Sequence, residues 1–332
     1  MVSLALRSVS TSASSSAFSS VLKPKMNPKS ITLSHPSNFG GLKLTFPSMR
    51  SFPCYSLPKI RQTICNSSTK PSLKTRLSRG EKLKGMFLFT ASPTMAEIAA
   101  LAGYDFIIVD LEHGPADFSA ALGCIRAAET SGCTTVIRVP EISPTYAKKA
   151  LDLGPEGIMF PKVETTKDAV QAVSYCHYPP YGVRGCAYSL VRDSDFGFDN
   201  TYLRNYREDR LVMCQVETAK GVRNIQDIMG VDGVDCITTG PRDLSASLGL
   251  LHDPGNPKVK EVMSRLETAV LESDPEEGGA FLAGLATPQD RAVDLKKRGY
   301  HMVISGSDIA LFSKAAIQDI KTFDGFVMIN AN

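Results

Sequence analysis

From residue 81 onward the chain alternates two kinds of segment. Short runs of β-branched, aromatic and other apolar residues are each followed by a turn and then by an Ala-rich stretch with helical spacing. The runs predict strands at Met86–Phe89, Phe106–Asp110, Thr134–Val139, Gly157–Pro161, Leu211–Val216, Val234–Thr238, Ala280–Ala283 and His301–Ile304. They are almost continuously apolar, the pattern of a parallel sheet covered on both faces. The intervening helices have legible starts. Ser92 precedes Pro93, Ser143 precedes Pro144 and Thr287 precedes Pro288. In each pair a hydroxyl can cap free N–H groups while proline takes the first helical position. Thr165 and Asp168 have capping-box spacing, and Met95, Ile98 and Ala102 form a helical apolar stripe.

Eight strand–helix units between residues 86 and 320 predict an α/β fold, the (β/α)8 or TIM barrel, whose usual length is about 250 residues. An open doubly wound sheet is the competing architecture. No GxGxxG follows any strand, which weighs against a dinucleotide-binding version. One interval, His177 to Asp209, breaks the rhythm with YPPYGVRG, a polar stretch and a short helix candidate. Its length points to function, and the run DSDFGFDN reads as a mobile lid or a subunit contact.

Composition changes the reading of the first 80 residues. They hold no Asp or Glu, twelve Lys or Arg and nineteen Ser. They also lack the apolar run of a secretory signal, so residues 1–80 read as a disordered transit peptide and linker. The expected destination is the chloroplast stroma, with the mitochondrion second. Residues 81–332 then form a single barrel domain. The formal charge of +3 is carried by the leader, because 25 bases against all 34 acids leave residues 81–332 at −9. That balance argues against a nucleic-acid partner. No stretch is long and apolar enough for a membrane span. The eight cysteines show no metal-binding spacing, and those within elements read as small buried hydrophobes.

In a barrel, chemistry gathers at the C-terminal strand ends. There the chain places Asp110, Glu112 and His113; Arg138; Pro161 and Lys162; Gln215 and Glu217; Gly240, Pro241 and Asp243; and Ser305 and Ser307. Glu217 and Asp243 follow neighbouring strands, so their carboxylates can converge on a hard divalent ion. A glycosidase-type acid/base pair and plain structural roles are the alternatives. His113 suits proton transfer near neutrality, with Asp110 three positions earlier able to orient its ring; a loop-fixing role is the alternative. Arg138 can clamp a carboxylate or form a buried salt bridge. Lys162 is either a Schiff-base lysine or a loop cation.

The ordered set VDLEHGPAD, VIRVP, YPPYGVRG, QVET and GPRDLSASLG resembles the HpcH/HpaI aldolase/citrate lyase family. Its nearest branch is the metal-dependent class II pyruvate aldolases, such as the 2,4-dihydroxyhept-2-ene-1,7-dioate aldolases. The resemblance spans about Lys84 to Ile320. It implies a phosphoenolpyruvate/pyruvate-type barrel with the C-terminal helix exchanged between subunits, a homo-hexamer, and a small 2-oxo acid substrate. The implied metal is Mg²⁺ or Mn²⁺, with Co²⁺ also possible, held by Glu217 and Asp243. Arg138 is implied beside the pyruvyl oxygen, His113 with Asp110 as catalytic acid/base, and Gln215, Gly240, Pro241, Arg242 and Ser305 around the substrate. The implied reaction is retro-aldol cleavage of a 4-hydroxy-2-oxo acid to pyruvate and an aldehyde through a metal-stabilised enolate. Malyl-CoA or citryl-CoA cleavage and a non-catalytic plastid barrel are the alternatives. Arg242 departs from the pattern, since many relatives carry a small residue or leucine there. The stretch after GVRG departs as well.

Overall fold

The computed structural model describes residues 70–251 and 253–323. The calls on residues 1–69 lie outside the described residues. Eight strands, β1 Leu83–Leu88, β2 Phe106–Asp110, β3 Thr134–Arg138, β4 Gly157–Phe160, β5 Leu211–Val216, β6 Cys236–Thr239, β7 Phe281–Leu285 and β8 Met302–Ser307, close into one barrel. Each is parallel to the next, and β8 returns to β1. Closure rules out the open sheet and leaves no strand edge among them.

The period of two along each strand divides its side chains between two cores. One row faces helices and includes Ile107, Val109, Ile137, Ile158, Phe160, Val212, Cys214, Ile237 and Leu282. The other fills the barrel and includes Phe87, Phe106, Ile108, Val136, Met159, Leu211, Met213, Cys236, Ala283, Met302 and Ile304. Space inside is tight: a Cβ on Gly85 would lie 2.3 Å from the Phe106 ring.

Helices α1 Leu73–Ser78, α2 Pro93–Leu101, α3 Phe118–Thr130, α4 Pro144–Asp152, α5 Thr166–Cys176 and α6 Tyr202–Asp209 precede β5. After it come α7 Ala219–Arg223, α8 Ile225–Met229, α9 Pro241–Ser247, α10 Pro257–Leu271, α11 Ala292–Arg298 and α12 Asp308–Phe323. Ser92 caps α2, and Thr165 with Asp168 forms the full capping box of α5. Ser143 stands at the N-cap of α4 without a side-chain bond. Thr287–Pro288 starts no helix. Thr287 instead bridges Asp290, and α11 begins at Ala292. The buried face of α2 is Ala96, Ala99 and Ala100, while Ile98 and Leu101 are exposed. The stripe read from the sequence is thus rotated away from the core.

Helix α1 starts at Leu73, inside the stretch read as leader, so the folded chain reaches back past residue 81. Leu73 and Leu77 are fully buried against the interior core. Three acids that precede even-numbered strands hold the helix in place. Glu156 accepts from Leu73 N at 2.9 Å, Lys74 meets Asp235 at 2.6 Å, and Arg76 meets Asp105 at 2.7 Å. The helix therefore closes the N-terminal end of the barrel.

The long interval is anchored. Asp193 is buried between Arg184 and Arg210 and bonds Tyr202, while Tyr178, Tyr202 and Tyr206 pack as a separate cluster. Phe196 and Phe198 face outward. A free lid is therefore not what this loop forms; its subunit-contact reading concerns those two rings. Of the described cysteines, five are buried free thiols and Cys186 is exposed.

Replacing Gly85 with Ala overpacks the barrel interior. The variant is expected to lose about 1–3 kcal/mol of stability, measured by denaturant unfolding, with the fold retained.

Candidate active site

The inward rows that are apolar at the bottom of the barrel turn polar at its mouth. Phe106 and Ile108 are followed by Asp110, Val136 by Arg138, and Leu211 and Met213 by Gln215 and then Glu217. The register of β2 against β3 puts Asp110 directly beside Arg138. Arg138 Nε donates to Asp110 Oδ1 at 2.7 Å and Nη2 to Oδ2 at 2.8 Å. The backbone N–H groups of Glu112 and His113 donate to the same two oxygens at 3.1 and 3.2 Å. Asp110 is fully buried with both oxygens occupied, so it fixes the Glu112–His113 turn through the backbone.

Arg138 lies over the Phe87 ring, 4.6 Å from its centroid. Burial alone would lower its pKa, but the bonds and charges of Asp110, with Glu112 and Glu217, hold it above the ordinary value. Its Nη1 meets Glu112 Oε2 at 2.9 Å and donates to Gln215 Oε1 at 3.4 Å. Gln215 Nε2 donates in turn to Glu217 Oε2, and Glu217 Oε1 accepts from Lys162 N at 2.9 Å. Lys162 adopts a left-handed backbone, φ 52°, a conformation costly for a residue with a side chain. That conformation presents its N–H to Glu217.

Glu217 shares the mouth with Asp243, in the first turn of α9, and with Glu112. Burial first, then the charges of Asp243 and Glu112, raise the Glu217 carboxyl to about 7. Burial also raises Glu112, opposed by Arg138. Gly240 makes room for this arrangement, since a Cβ there would stand 2.5 Å from Glu217 Oε2. Pro241 then starts α9 as its first residue.

The other predicted residues divide. His113 stands at the rim with its ring largely exposed, and its Nε2 is 3.7 Å from Glu112 Oε1. The expected Asp110–ring contact is absent, because both Asp110 oxygens are committed to Arg138 and backbone N–H groups. Arg242 is exposed at the second position of α9, and its guanidinium has no hydrogen bond or ion pair among the described residues. Ser305 lies on the outward row of β8 and contacts Tyr104 Oη and Gly85 O, each at 3.4 Å. The structure does not bring it to the mouth. Lys162 contributes a backbone donor, and its side chain is exposed.

Glu112, read from the sequence as a strand-end acid that could bind a metal-held water, links Arg138 to His113. Two participants were not among the predicted site residues. Phe87 forms the bed of Arg138, and counting back from Phe89 by twos along β1 identifies it as inward-facing. Thr238 pairs in register with Gln215 and has a buried hydroxyl without a partner among the described residues.

No three His, Cys, Asp or Glu side chains gather as a metal cluster among the described residues. Two acids, Glu217 and Asp243, are the donor set. Two carboxylates facing one mouth, one of them raised by the charge of the other and cradled by a glycine, fit a hard divalent ion whose remaining positions go to water and substrate oxygens. Chemically, the mouth offers that pair, a rigid guanidinium for an anionic oxygen, and an exposed imidazole for proton transfer.

The family model described as HpcH/HpaI aldolase/citrate lyase matches residues 83–315. The 2-keto-3-deoxy-L-rhamnonate aldolase of Escherichia coli K12 is 33% identical over 258 residues, covering 78% of this chain and 95% of that relative. A solved HpcH/HpaI aldolase/citrate lyase family protein from Burkholderia cenocepacia J2315 superimposes with a TM-score of 0.71 at 34% identity, over 76% of this chain and 98% of that one. The HpcH/HpaI aldolase of Desulfitobacterium hafniense DCB-2 does so with a TM-score of 0.70 at 29% identity, over 79% of this chain and all of that one.

The raised Glu217 carboxyl has a consequence for stability. An acid whose folded pKa exceeds its unfolded value of about 4.3 favours folding most below that value, and this contribution is lost as pH climbs to about 7. In chelator-treated protein, urea unfolding between pH 5 and 8 should show wild type losing roughly 2 kcal/mol more than Glu217→Gln. Equal pH slopes would contradict this placement of Glu217.

Proposed function

The chain belongs to the HpcH/HpaI aldolase/citrate lyase family, and on that premise we propose that it is a metal-dependent aldolase. It cleaves a 4-hydroxy-2-oxo acid into pyruvate and an aldehyde. The observation that carries this reading is the meeting of Arg138, Gln215, Glu217 and Asp243 at one barrel mouth, with His113 on the rim. The E. coli relative acts on 2-keto-3-deoxy-L-rhamnonate. That compound has a ketone at C2, no hydroxyl at C3 and a hydroxyl at C4, the β-hydroxyketone that a retro-aldol step requires.

Glu217 and Asp243 would hold Mg²⁺ or Mn²⁺, with Co²⁺ equally suited to their oxygens. When bound, the ion supplies Lewis acidity at the 2-oxo end of the substrate. Arg138, kept charged and immobile by Asp110, stabilises the negative charge that develops on the C2 oxygen. His113 Nε2 accepts the proton of the 4-hydroxyl as the C3–C4 bond breaks. The electron pair of that bond moves to C3 and the C2 oxygen, giving the enolate of pyruvate. An aldehyde leaves, and proton return to C3 gives pyruvate. Gln215 orients Glu217 and Arg138. Arg242, exposed and without a hydrogen bond or ion pair among the described residues, would favour an acidic or polyhydroxylated leaving group.

The apolar side chains Leu311, Phe312, Ile317 and Ile320 of α12 are exposed, as are Ile98 and Leu101 on α2. A second copy covering them, by exchange of α12 and assembly into a homo-hexamer, accounts for both surfaces. The acid-free, Ser-rich start of the chain supports delivery to the chloroplast stroma.

The test uses protein stripped with chelator, with Mg²⁺ or Mn²⁺ then restored. Pyruvate release from a panel of 4-hydroxy-2-oxo acids should return with the metal. It should fall at least a hundredfold in Glu217→Ala and about a hundredfold or more in His113→Ala. Release that survives chelation, or cleavage confined to malyl-CoA or citryl-CoA, contradicts the proposal.

A further inference from the structure

After Leu88 the chain leaves strand β1 and crosses to α2 at the mouth of the barrel. This stretch, Phe89 to Ser92, meets the site in two places. The Phe89 ring centroid lies 5.5 Å from that of Phe87 and 6.0 Å from Arg138 Cζ, so Phe89 flanks the aromatic bed of Arg138. The Phe89 carbonyl abuts Gly114: a Cβ on Gly114 would stand 2.7 Å from Phe89 O and 2.5 Å from Asp110 O. The bare glycine thus lets the β1–α2 stretch close on the Glu112–His113 turn.

The stretch carries strain. Ala91 adopts a left-handed backbone, φ 50°, a conformation that persists in a residue with a side chain only where the surroundings hold it. Asp308, far away in sequence, does the holding. Its Oδ1 accepts from Phe89 N at 3.0 Å, and its Oδ2 accepts from Thr90 N at 2.9 Å and from the Thr90 hydroxyl. Oδ1 also accepts from Ile309 N at 2.8 Å. Each oxygen therefore has two donors, as in Asp110. The register explains the reach: Phe87 is the last β1 residue paired with β8, opposite Ser307, and the Asp308 carboxylate takes over where that ladder ends.

The placement of Asp308 is not that of an ordinary helix-start acid. Such an acid complements the helix dipole from an exposed position. Asp308 is 1% exposed, and it is the one buried residue of α12. Ser307 Oγ accepts from Ala310 N at 3.2 Å and so serves the first turn of the helix. A carboxylate is costly to bury unless its oxygens are bonded, and three of the four bonds go to the β1–α2 stretch. The burial of Asp308 serves that stretch more than its own helix.

We propose that Asp308 is a positioning residue of the mouth. It acts through Phe89, fixing the ring that flanks Arg138 and the carbonyl that backs the Glu112–His113 turn. Its effect on turnover rests on the aldolase reading above, whereas its hold on the turn does not. Substrate binding through Glu217 and Asp243 is left untouched, so the loss on removing Asp308 falls on kcat, not on KM.

Backbone amide exchange, followed by mass spectrometry on the full chain after chelation, reads the turn without any reaction. The Glu112 and His113 amides are bonded to Asp110. In Asp308→Ala they should exchange about tenfold faster or more, the scale set by hydrogen bonds to a charged group, while the amides of β5 keep their wild-type rates. With Mg²⁺ restored, kcat for pyruvate release should fall about tenfold or more and KM should stay within about threefold of wild type. Thr90→Val removes one donor at an exposed position and should move both readouts the same way, by about threefold; it decides the question alone if Asp308→Ala does not fold. Unchanged Glu112 and His113 amides, equal loosening of β5, or a loss carried by KM would overturn the proposal. Loosened amides in a protein whose wild type releases no pyruvate would contradict the aldolase reading and leave the positioning of the turn standing.

Discussion

The fork between Asp110 and Arg138 is the constraint on which the mouth of this barrel depends. Two charges withdrawn from water cost several kcal/mol each unless every polar atom finds a partner. Here they do. Each Asp110 oxygen takes one guanidinium N–H and one backbone N–H, and Arg138 adds an aromatic bed. Because the two residues are register partners on adjacent strands, the fork is as rigid as the sheet. Its position is inherited by everything bonded to it. Glu112 and His113 follow through the backbone, Gln215 through Arg138, and Glu217 through Gln215.

That chain of contacts explains why a buried carboxylate can be kept at high proton affinity beside two others. Glu217 is held from three sides, by Gln215, by the Lys162 N–H and by the absence of a side chain at Gly240. It cannot turn away from Asp243. The strained backbone of Lys162 and the bare Gly240 are local costs that serve this one orientation. They fit the proposed site, which would accept a cation and an anionic substrate together, and α1 seals the other end of the barrel.

The barrel was legible in the sequence because most strand positions are buried on both faces, so the strands read as almost continuous apolar runs. The polar residues that end those runs marked the mouth, since Asp110, Arg138, Gln215 and Glu217 continue inward rows. Counting by twos from Met302 would have placed Ser305 on the outward row, away from the mouth. Helix α1 was hidden because its two buried leucines stand in a stretch as basic and acid-free as the leader before it. The acids that hold it, Asp105, Glu156 and Asp235, lie far away in sequence. The neighbour of the His113 ring was hidden for a different reason. Spacing allows Asp110 to reach the ring, and only the competition of Arg138 and two backbone N–H groups for the same oxygens leaves Glu112 as its neighbour.

In the proposed reaction the Asp110–Arg138 fork serves an enolate. Exchange of the pyruvate methyl protons with D₂O, followed by NMR on metal-loaded protein, isolates enolate formation from aldehyde recognition. Wild type should exchange them. Arg138→Lys, which keeps a charge but loses the fork, should slow exchange by two orders of magnitude or more, roughly what one lost preorganised donor costs, while the melting temperature stays high enough for a folded barrel. Exchange at the wild-type rate in a folded Arg138→Lys protein would contradict the account.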